Sequence, residues 1–164
     1  MGKSDAQLKL LSGRSHPKIA QAIASELGLK LCAVELGSFS NSEISVRIME
    51  SVRGDDVFVI QSHSGNVNEA IMEQAIIIDA AKRASAGTIT AVCPFMAYAR
   101  QDRKSGGRDP ISARLLIDIL VQAGADRIMS FDLHTGQIQG FMDGPFDHLI
   151  ARPLFVDYIK KNFD

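Results

Sequence analysis

VFVIQSHSGNVNEAIMEQAIIIDAAKRASAGTITAV, running from Val57 to Val92, reads as strand, helix, strand. Val57–Ile60 is a continuous β-branched and aromatic run, of the kind buried on both faces in a parallel sheet. Asn66, three residues before Glu69, makes a capping-box-like start for the helix that follows. Ile71, Ala75, Ile78 and Ala81 recur at helical spacing, and Lys82-Arg83 fall in the last turn, where the helix dipole favours cations. Thr88–Val92 is a second buried strand. A strand, a helix and a parallel strand in succession imply a right-handed crossover.

The same alternation extends in both directions. Upstream, Leu8–Leu11 is a short apolar strand ending at Ser12-Gly13. Pro17 opens a helix to Leu27, with Ile19, Ala20, Ile23 and Leu27 on one face and Gly28 as its stop. Leu31–Leu36 and Ile44–Met49 read as a local antiparallel pair, the second alternating Ile44, Val46 and Ile48 inward. Downstream, Asp109 is placed to cap a helix begun by Pro110 and lined by Ile111, Leu115, Ile119 and Ala123, with Gly124 at its end. Ile128–Phe131 is a further strand, and Leu154–Ile159 belongs to a last helix. The fold class is therefore α/β, a mostly parallel sheet flanked by helices with a small antiparallel strand pair near residues 31–49.

Composition narrows the function. The 164 residues fit one domain, residues 1–164, and 46% hydrophobic with 23% charged content is ordinary for a globular protein. A net charge of −1 provides no bulk attraction for nucleic acid or an anionic membrane. No apolar run approaches the roughly 20 residues that span a bilayer, and Met1–Asp5 leads into no apolar signal core. Cys32 and Cys93 sit in apolar stretches without metal or redox spacing and read as reduced buried thiols. A cytoplasmic location is expected.

In open parallel sheets ligands bind beyond the carboxyl ends of the strands, and two polar segments leave strands at that edge. Tyr98–Asp109 carries Arg100, Arg103, Lys104 and Arg108 against Asp102 and Asp109, a local surplus of two positive charges. Arginine forks and a lysine point charge suit polyphosphate, and Gly106-Gly107 permits loop closure. The competing reading is a solvated loop with internal Arg–Asp pairs. It is no Walker A loop, because no GxxxxGK[ST] occurs.

The second segment is Asp132–Asp147. Asp132 and His134, two apart, face one way in an extended chain, and Asp143 and Asp147 follow across Gly136, Gly140 and Gly144. Three carboxylates and an imidazole suit Mg²⁺ completed by substrate phosphates. Zn²⁺ from the same residues is the alternative, and Asp143 and Asp147 serve equally as turn or ion-pair residues. Phe39-Ser40-Asn41-Ser42-Glu43 presents an aromatic ring with amide and carboxylate groups, either a nucleobase contact or a turn before a strand. His16 lies at a strand-to-helix junction, as an anion contact or as a helix cap. His63 and His148 carry no pattern.

Taken together, Phe39–Glu43, Ser51-Val52-Arg53-Gly54, Tyr98–Lys104, Pro110-Ile111-Ser112-Ala113 and Asp132-Leu133-His134-Thr135 with Gln137–Phe141 resemble the ribose-phosphate diphosphokinases. These motifs stand in family order over nearly the whole chain. The resemblance implies a phosphoribosyltransferase-like fold and the N-terminal, ATP- and metal-binding domain of a two-domain enzyme. In that enzyme the C1 hydroxyl of ribose 5-phosphate attacks the β-phosphorus of MgATP, giving phosphoribosyl diphosphate and AMP. By resemblance Phe39, Asn41 and Glu43 meet adenine in a neighbouring subunit's site, and Arg100, Gln101, Arg103 and Lys104 hold the triphosphate. Asp132, His134, Asp143 and Asp147 correspond to the Mg²⁺ positions, His134 and Arg100 to the reacting centre, and Ser51, Arg53 and Arg108 to phosphate/ADP regulatory positions. The family forms dimers and hexamers, so a homo-oligomer is implied. Its chains are about twice this length, and the ribose 5-phosphate loop and basic catalytic loop of the second domain have no counterpart here. A non-catalytic ATP-binding, assembly or regulatory module is the alternative.

Overall fold

The computed structural model describes residues 6–163, so the polar stretch Met1–Asp5 lies outside the described residues. The chain runs β1 (Leu8–Ser12), α1 (Pro17–Glu26), β2 (Val34–Ser38), β3 (Ile44–Ile48), β4 (Asp56–Ile60), α2 (Val67–Arg83) and β5 (Thr88–Cys93). It continues through α3 (Ser112–Ala123), β6 (Arg127–Phe131), a 3₁₀ segment (Gly136–Phe141), β7 (Phe146–Leu149) and α4 (Arg152–Asn162). Five strands form one sheet in the order β1-β4-β5-β6-β7, every neighbouring pair parallel, and β2 pairs antiparallel with β3. The α/β architecture read from the sequence is the one observed.

Burial explains the layers. Alternate residues of the central strands point to opposite faces. Leu11, Val57, Val59, Ile89, Ala91 and Ile128 meet Ile77 and Ile78 of α2 and Leu116, Ile117 and Leu120 of α3. Leu10, Ile60 and Val92 meet Ala20 and Ala24 of α1 on the other side. Fully burying a side chain such as Ile77 or Ile78 contributes roughly 2–3 kcal/mol. Beyond α1 that second face stays open, as an apolar groove of about 260 Å³ lined by Leu8, Leu27, Phe58, Met129 and Phe131 among others. Helix α4 has no buried residue; Leu154, Phe155, Tyr158 and Ile159 all face outward.

Several local expectations are corrected. The stretch Leu31–Leu36 starts pairing late: Leu31 makes only a single bridge to Leu10, and β2 begins at Val34. Asn66 is the N-cap of α2, but its amide donates to the Glu69 carboxylate (3.1 Å) instead of accepting from the helix. Helix α3 is capped by Ile111, not Asp109, so Pro110 lies outside it. Asp109 is occupied elsewhere, its carboxylate accepting from the Ser105 amide at 3.1 Å. The stripe Ile111, Leu115, Ile119, Ala123 is also not the inward one. Ala113, Leu116, Ile117 and Leu120 are buried, while Leu115 is 60% exposed. This helix is apolar nearly all round, so two stripes share its period and only packing selects between them. The segment after Asp132 is no simple loop, because it contains the strand β7.

Candidate functional site

A cleft of about 610 Å³ opens beyond the carboxyl ends of β5 and β6. One wall is the backbone from Phe95 to Gln101, the other is Phe131 to His134, and Val67 at the start of α2 closes one side. Arg100, Gln101, Asp132 and His134 therefore face one space, as the edge placement predicts. Each wall turns through a left-handed residue, Tyr98 (φ 57°) and Asp132 (φ 38°). Such conformations cost about 1–3 kcal/mol each and persist only where the surroundings hold them. Here they are held. The Tyr98 hydroxyl donates to Asn68 of α2 at 2.6 Å. The Asp132 amide donates to the Leu149 carbonyl at 2.9 Å, and Asp132 Oδ1 accepts from the Ala151 amide at 3.2 Å.

Among the described residues no ion pair involves Arg100, Arg103, Lys104 or Arg108. Both loop acids are otherwise bonded. Asp109 accepts from Ser105, and buried Asp102 accepts from the Thr135 hydroxyl and from Gln137 Nε2 (3.2 Å). The Thr135 hydroxyl holds the Asp102 carboxyl below the ordinary range, with a smaller pull from nearby His134 and Arg103 opposing the effect of burial. Asp102 thus ties the two walls together and leaves the loop's cations exposed, with Arg100 lining the cleft.

A family model describing the N-terminal domain of ribose phosphate pyrophosphokinase matches residues 8–124. This chain belongs to the ribose-phosphate pyrophosphokinase family. Among its relatives, the ribose-phosphate pyrophosphokinase of Bifidobacterium longum is 58% identical over 162 residues, 99% of this chain and 48% of that protein. The Corynebacterium glutamicum ribose-phosphate pyrophosphokinase is 54% identical over 162 residues, 50% of its length. The crystal structure of phosphoribosylpyrophosphate synthetase from Mycobacterium smegmatis superposes with a TM-score of 0.92 at 55% identity, covering 95% of this chain and 52% of that one. The chain spans about half the length of these curated relatives.

Other residues singled out by the ribose-phosphate pyrophosphokinase resemblance fall elsewhere. Asp143 sits near the amino ends of the strands, since Gly144 packs against the Asp126 carbonyl and Pro145 O accepts from Ile128 N. Six residues of strand rise, roughly 20 Å, separate that end from Asp132. Asp147 lies within β7 and pairs with Arg127 at 2.7 Å, not with the neighbouring Arg152. The proposed four-residue metal set is thus not assembled, and no three His, Cys, Asp or Glu side chains cluster as metal ligands among the described residues. Phe39, Asn41 and Glu43 form the tip of the β2–β3 hairpin, Phe39 60% exposed, with Asn41 Oδ1 accepting from the Glu43 amide. Ser51 and Arg53 occupy the turn before β4, at the sheet edge away from the cleft, while Arg108 lies in the glycine loop. His16 caps α1, its Nδ1 accepting from Ile19 N at 3.2 Å. Cys32 and Cys93 are free and buried, and burial pushes the Cys93 thiol up to about 12.

Sequence reasoning missed the supports of the site. His148, which carries no pattern, accepts from Leu133 N at 3.0 Å and steadies the Asp132 wall. His63 is fully buried and bonds to the opposite wall. Neither has a sequence signal, because its partner is a backbone amide on another strand's loop.

Proposed function

We propose that this chain supplies the ATP- and metal-binding half of a ribose-phosphate diphosphokinase. In that reaction the C1 hydroxyl of ribose 5-phosphate attacks the β-phosphorus of MgATP, the β–γ diphosphoryl group is transferred, and AMP departs. The observation that carries the reading is the cleft in which Arg100 and Gln101 face Asp132 and His134, with the loop's cations in no ion pair among the described residues. Polyphosphate transfer asks a protein chiefly for positioning and charge neutralisation. Arg100 and Gln101 hold the triphosphate within the cleft, and Arg103 and Lys104 neutralise it from the loop. No protein nucleophile is needed.

Asp132 and His134 are the residues that would hold Mg²⁺, which supplies charge neutralisation at the phosphates. Only Oδ1 of Asp132 is engaged by the Ala151 amide, leaving Oδ2 available. Two protein donors suit Mg²⁺, which keeps several waters and is completed by phosphate oxygens. A structural Zn²⁺ site needs four ligands, which this cleft does not assemble. Phe39, Asn41 and Glu43 lie on an exposed hairpin tip and do not line this chain's own cleft, which suits an adenine contact made in another subunit of a dimer or hexamer. Ser51, Arg53 and Arg108, which do not line the cleft, are assigned to binding regulatory phosphate or ADP. Ribose 5-phosphate is assigned to a second domain, and the setting is the cytoplasm.

The test combines AMP release with calorimetric titration of MgATP. The chain alone is expected to bind ATP in a Mg²⁺-dependent way without turnover, and to turn over when mixed with a second-domain chain and ribose 5-phosphate. Arg100→Ala and Lys104→Ala are each expected to weaken MgATP binding about tenfold, the scale of a lost charged hydrogen bond. Unchanged affinity in both would leave the loop as mere solvated surface, and absence of ATP binding by the unaltered chain would favour a structural module.

A further inference from the structure

Beneath the cleft lies a buried polar relay that the reaction itself does not use. The chain leaving β4 stays buried through Gln61, Ser62 and His63. The His63 amide donates to the Phe95 carbonyl at 2.9 Å, so the segments after β4 and β5 remain paired past the strand ends. His63 Nδ1 accepts from the Ala97 amide at 3.3 Å, and its Nε2 lies 2.8 Å from Gln74 Oε1. A backbone amide can only donate, so Nδ1 carries no proton and Nε2 must donate to Gln74.

The Gln74 amide is oriented just as firmly. Its Nε2 donates to the Val59 and Val92 carbonyls at 3.0 and 3.2 Å, which turns Oε1 towards His63 and the Cys93 thiol. Gln74 and His63 are both completely buried. Burial also pushes the His63 imidazole down from its ordinary pKa, which keeps it neutral. The order of transmission is therefore sheet carbonyls, Gln74, His63, Ala97.

Ala97 is the residue before left-handed Tyr98 and three before Arg100. We infer that His63, fixed as its Nε2–H tautomer by Gln74, is a positioning residue that presets the cleft wall carrying Arg100 and Gln101 for its anionic ligand. This rests on the MgATP reading of the cleft. Without the imidazole acceptor, the buried Ala97 amide has no partner among the described residues, and the strained turn at Tyr98 keeps only the Asn68 contact and the Gln101 amide's bond to the Tyr98 carbonyl at 2.9 Å.

Two substitutions separate the halves of the imidazole. His63→Asn keeps an acceptor where Nδ1 stands but does not reach Gln74. His63→Gln keeps a donor where Nε2 stands but offers Ala97 nothing. Amide hydrogen exchange at Ala97 and MgATP titration are measured for both in the full chain. In His63→Gln, Ala97 exchange is expected to accelerate about tenfold and MgATP affinity to fall about tenfold. In His63→Asn, both are expected to stay within about threefold of the unaltered chain. Unchanged Ala97 exchange in His63→Gln overturns the inference, as does unchanged affinity with accelerated exchange, or equal impairment in His63→Asn. Should His63→Gln not fold, Gln74→Met, which removes the ring's anchor on α2, is expected to accelerate Ala97 exchange, and normal exchange there overturns the inference. Failure of the unaltered chain to bind MgATP sinks the ATP reading alone, because the exchange comparison needs no nucleotide.

Discussion

Replacing Glu73 by leucine removes the acceptor at the junction of β1, β4 and α2. Glu73 is 2% exposed, and its carboxylate accepts from Arg14 N (2.6 Å), Gln61 Nε2 (2.8 Å) and Arg14 Nε. The three losses are unequal. Among the described residues the Arg14 amide has no other partner, so its desolvation costs about 1–3 kcal/mol. Gln61 Nε2 retains the Ala70 carbonyl at 3.3 Å and loses little. The Arg14 side chain is 37% exposed and can turn to water or to Glu69 at 3.3 Å, which discounts the ion pair to about 1 kcal/mol. The buried leucine returns roughly 1 kcal/mol of apolar burial. The net expectation is a loss of about 1–3 kcal/mol, a fall in Tm of roughly 2–12 °C for a chain of this size. The chain has no tryptophan, so urea unfolding followed by far-UV circular dichroism is the suitable assay. A double-mutant cycle with Arg14→Ala and Glu73→Gln should show a coupling of about 1 kcal/mol. A leucine variant within about 0.5 kcal/mol of the unaltered chain, or no coupling, would refute the reasoning.

Other consequences are equally direct. Because the folded Asp102 carboxyl is held below its ordinary value, its contribution is fully present above about pH 5 and fades as pH falls through the folded pKa. The stability gap between the unaltered chain and Asp102→Asn, from urea unfolding at about pH 3 to about pH 7, should therefore widen with rising pH and then level off. A gap independent of pH would remove the tether. Gly87→Ala would bring a Cβ within 2.7 Å of the Gly54 carbonyl oxygen, backbone against backbone, and should cost about 1–3 kcal/mol by thermal unfolding. Asp147→Asn breaks an exposed pair with Arg127 and should change stability by less than about 1 kcal/mol. It should leave Mg²⁺-dependent ATP binding intact in calorimetry, and lost binding would return Asp147 to the metal reading.

The layered α/β fold, its parallel strands and the edge at which ligands would gather were legible from residue order alone. Short continuous runs such as Val57–Ile60 and Thr88–Val92 are rich in β-branched residues and alternate with a helical stripe, which marks them as buried parallel strands. The basic loop and Asp132-Leu133-His134 were legible for the same reason, each being a contiguous cluster of side chains with one chemistry. Choices between locally equivalent solutions were not. Helix α3 offered two apolar stripes, and only the sheet it packs on selects Leu116 and Leu120. Asp109 had two possible donors and took Ser105. Asp143 and Asp147 stand close to His134 in sequence, yet the chain returns to the opposite sheet edge before β7 begins, so distance along the chain says nothing of distance in space. The buried contacts of His63, Gln74 and His148 likewise belong to tertiary structure alone, because they join a side chain to a polar group that no spacing in the sequence reveals.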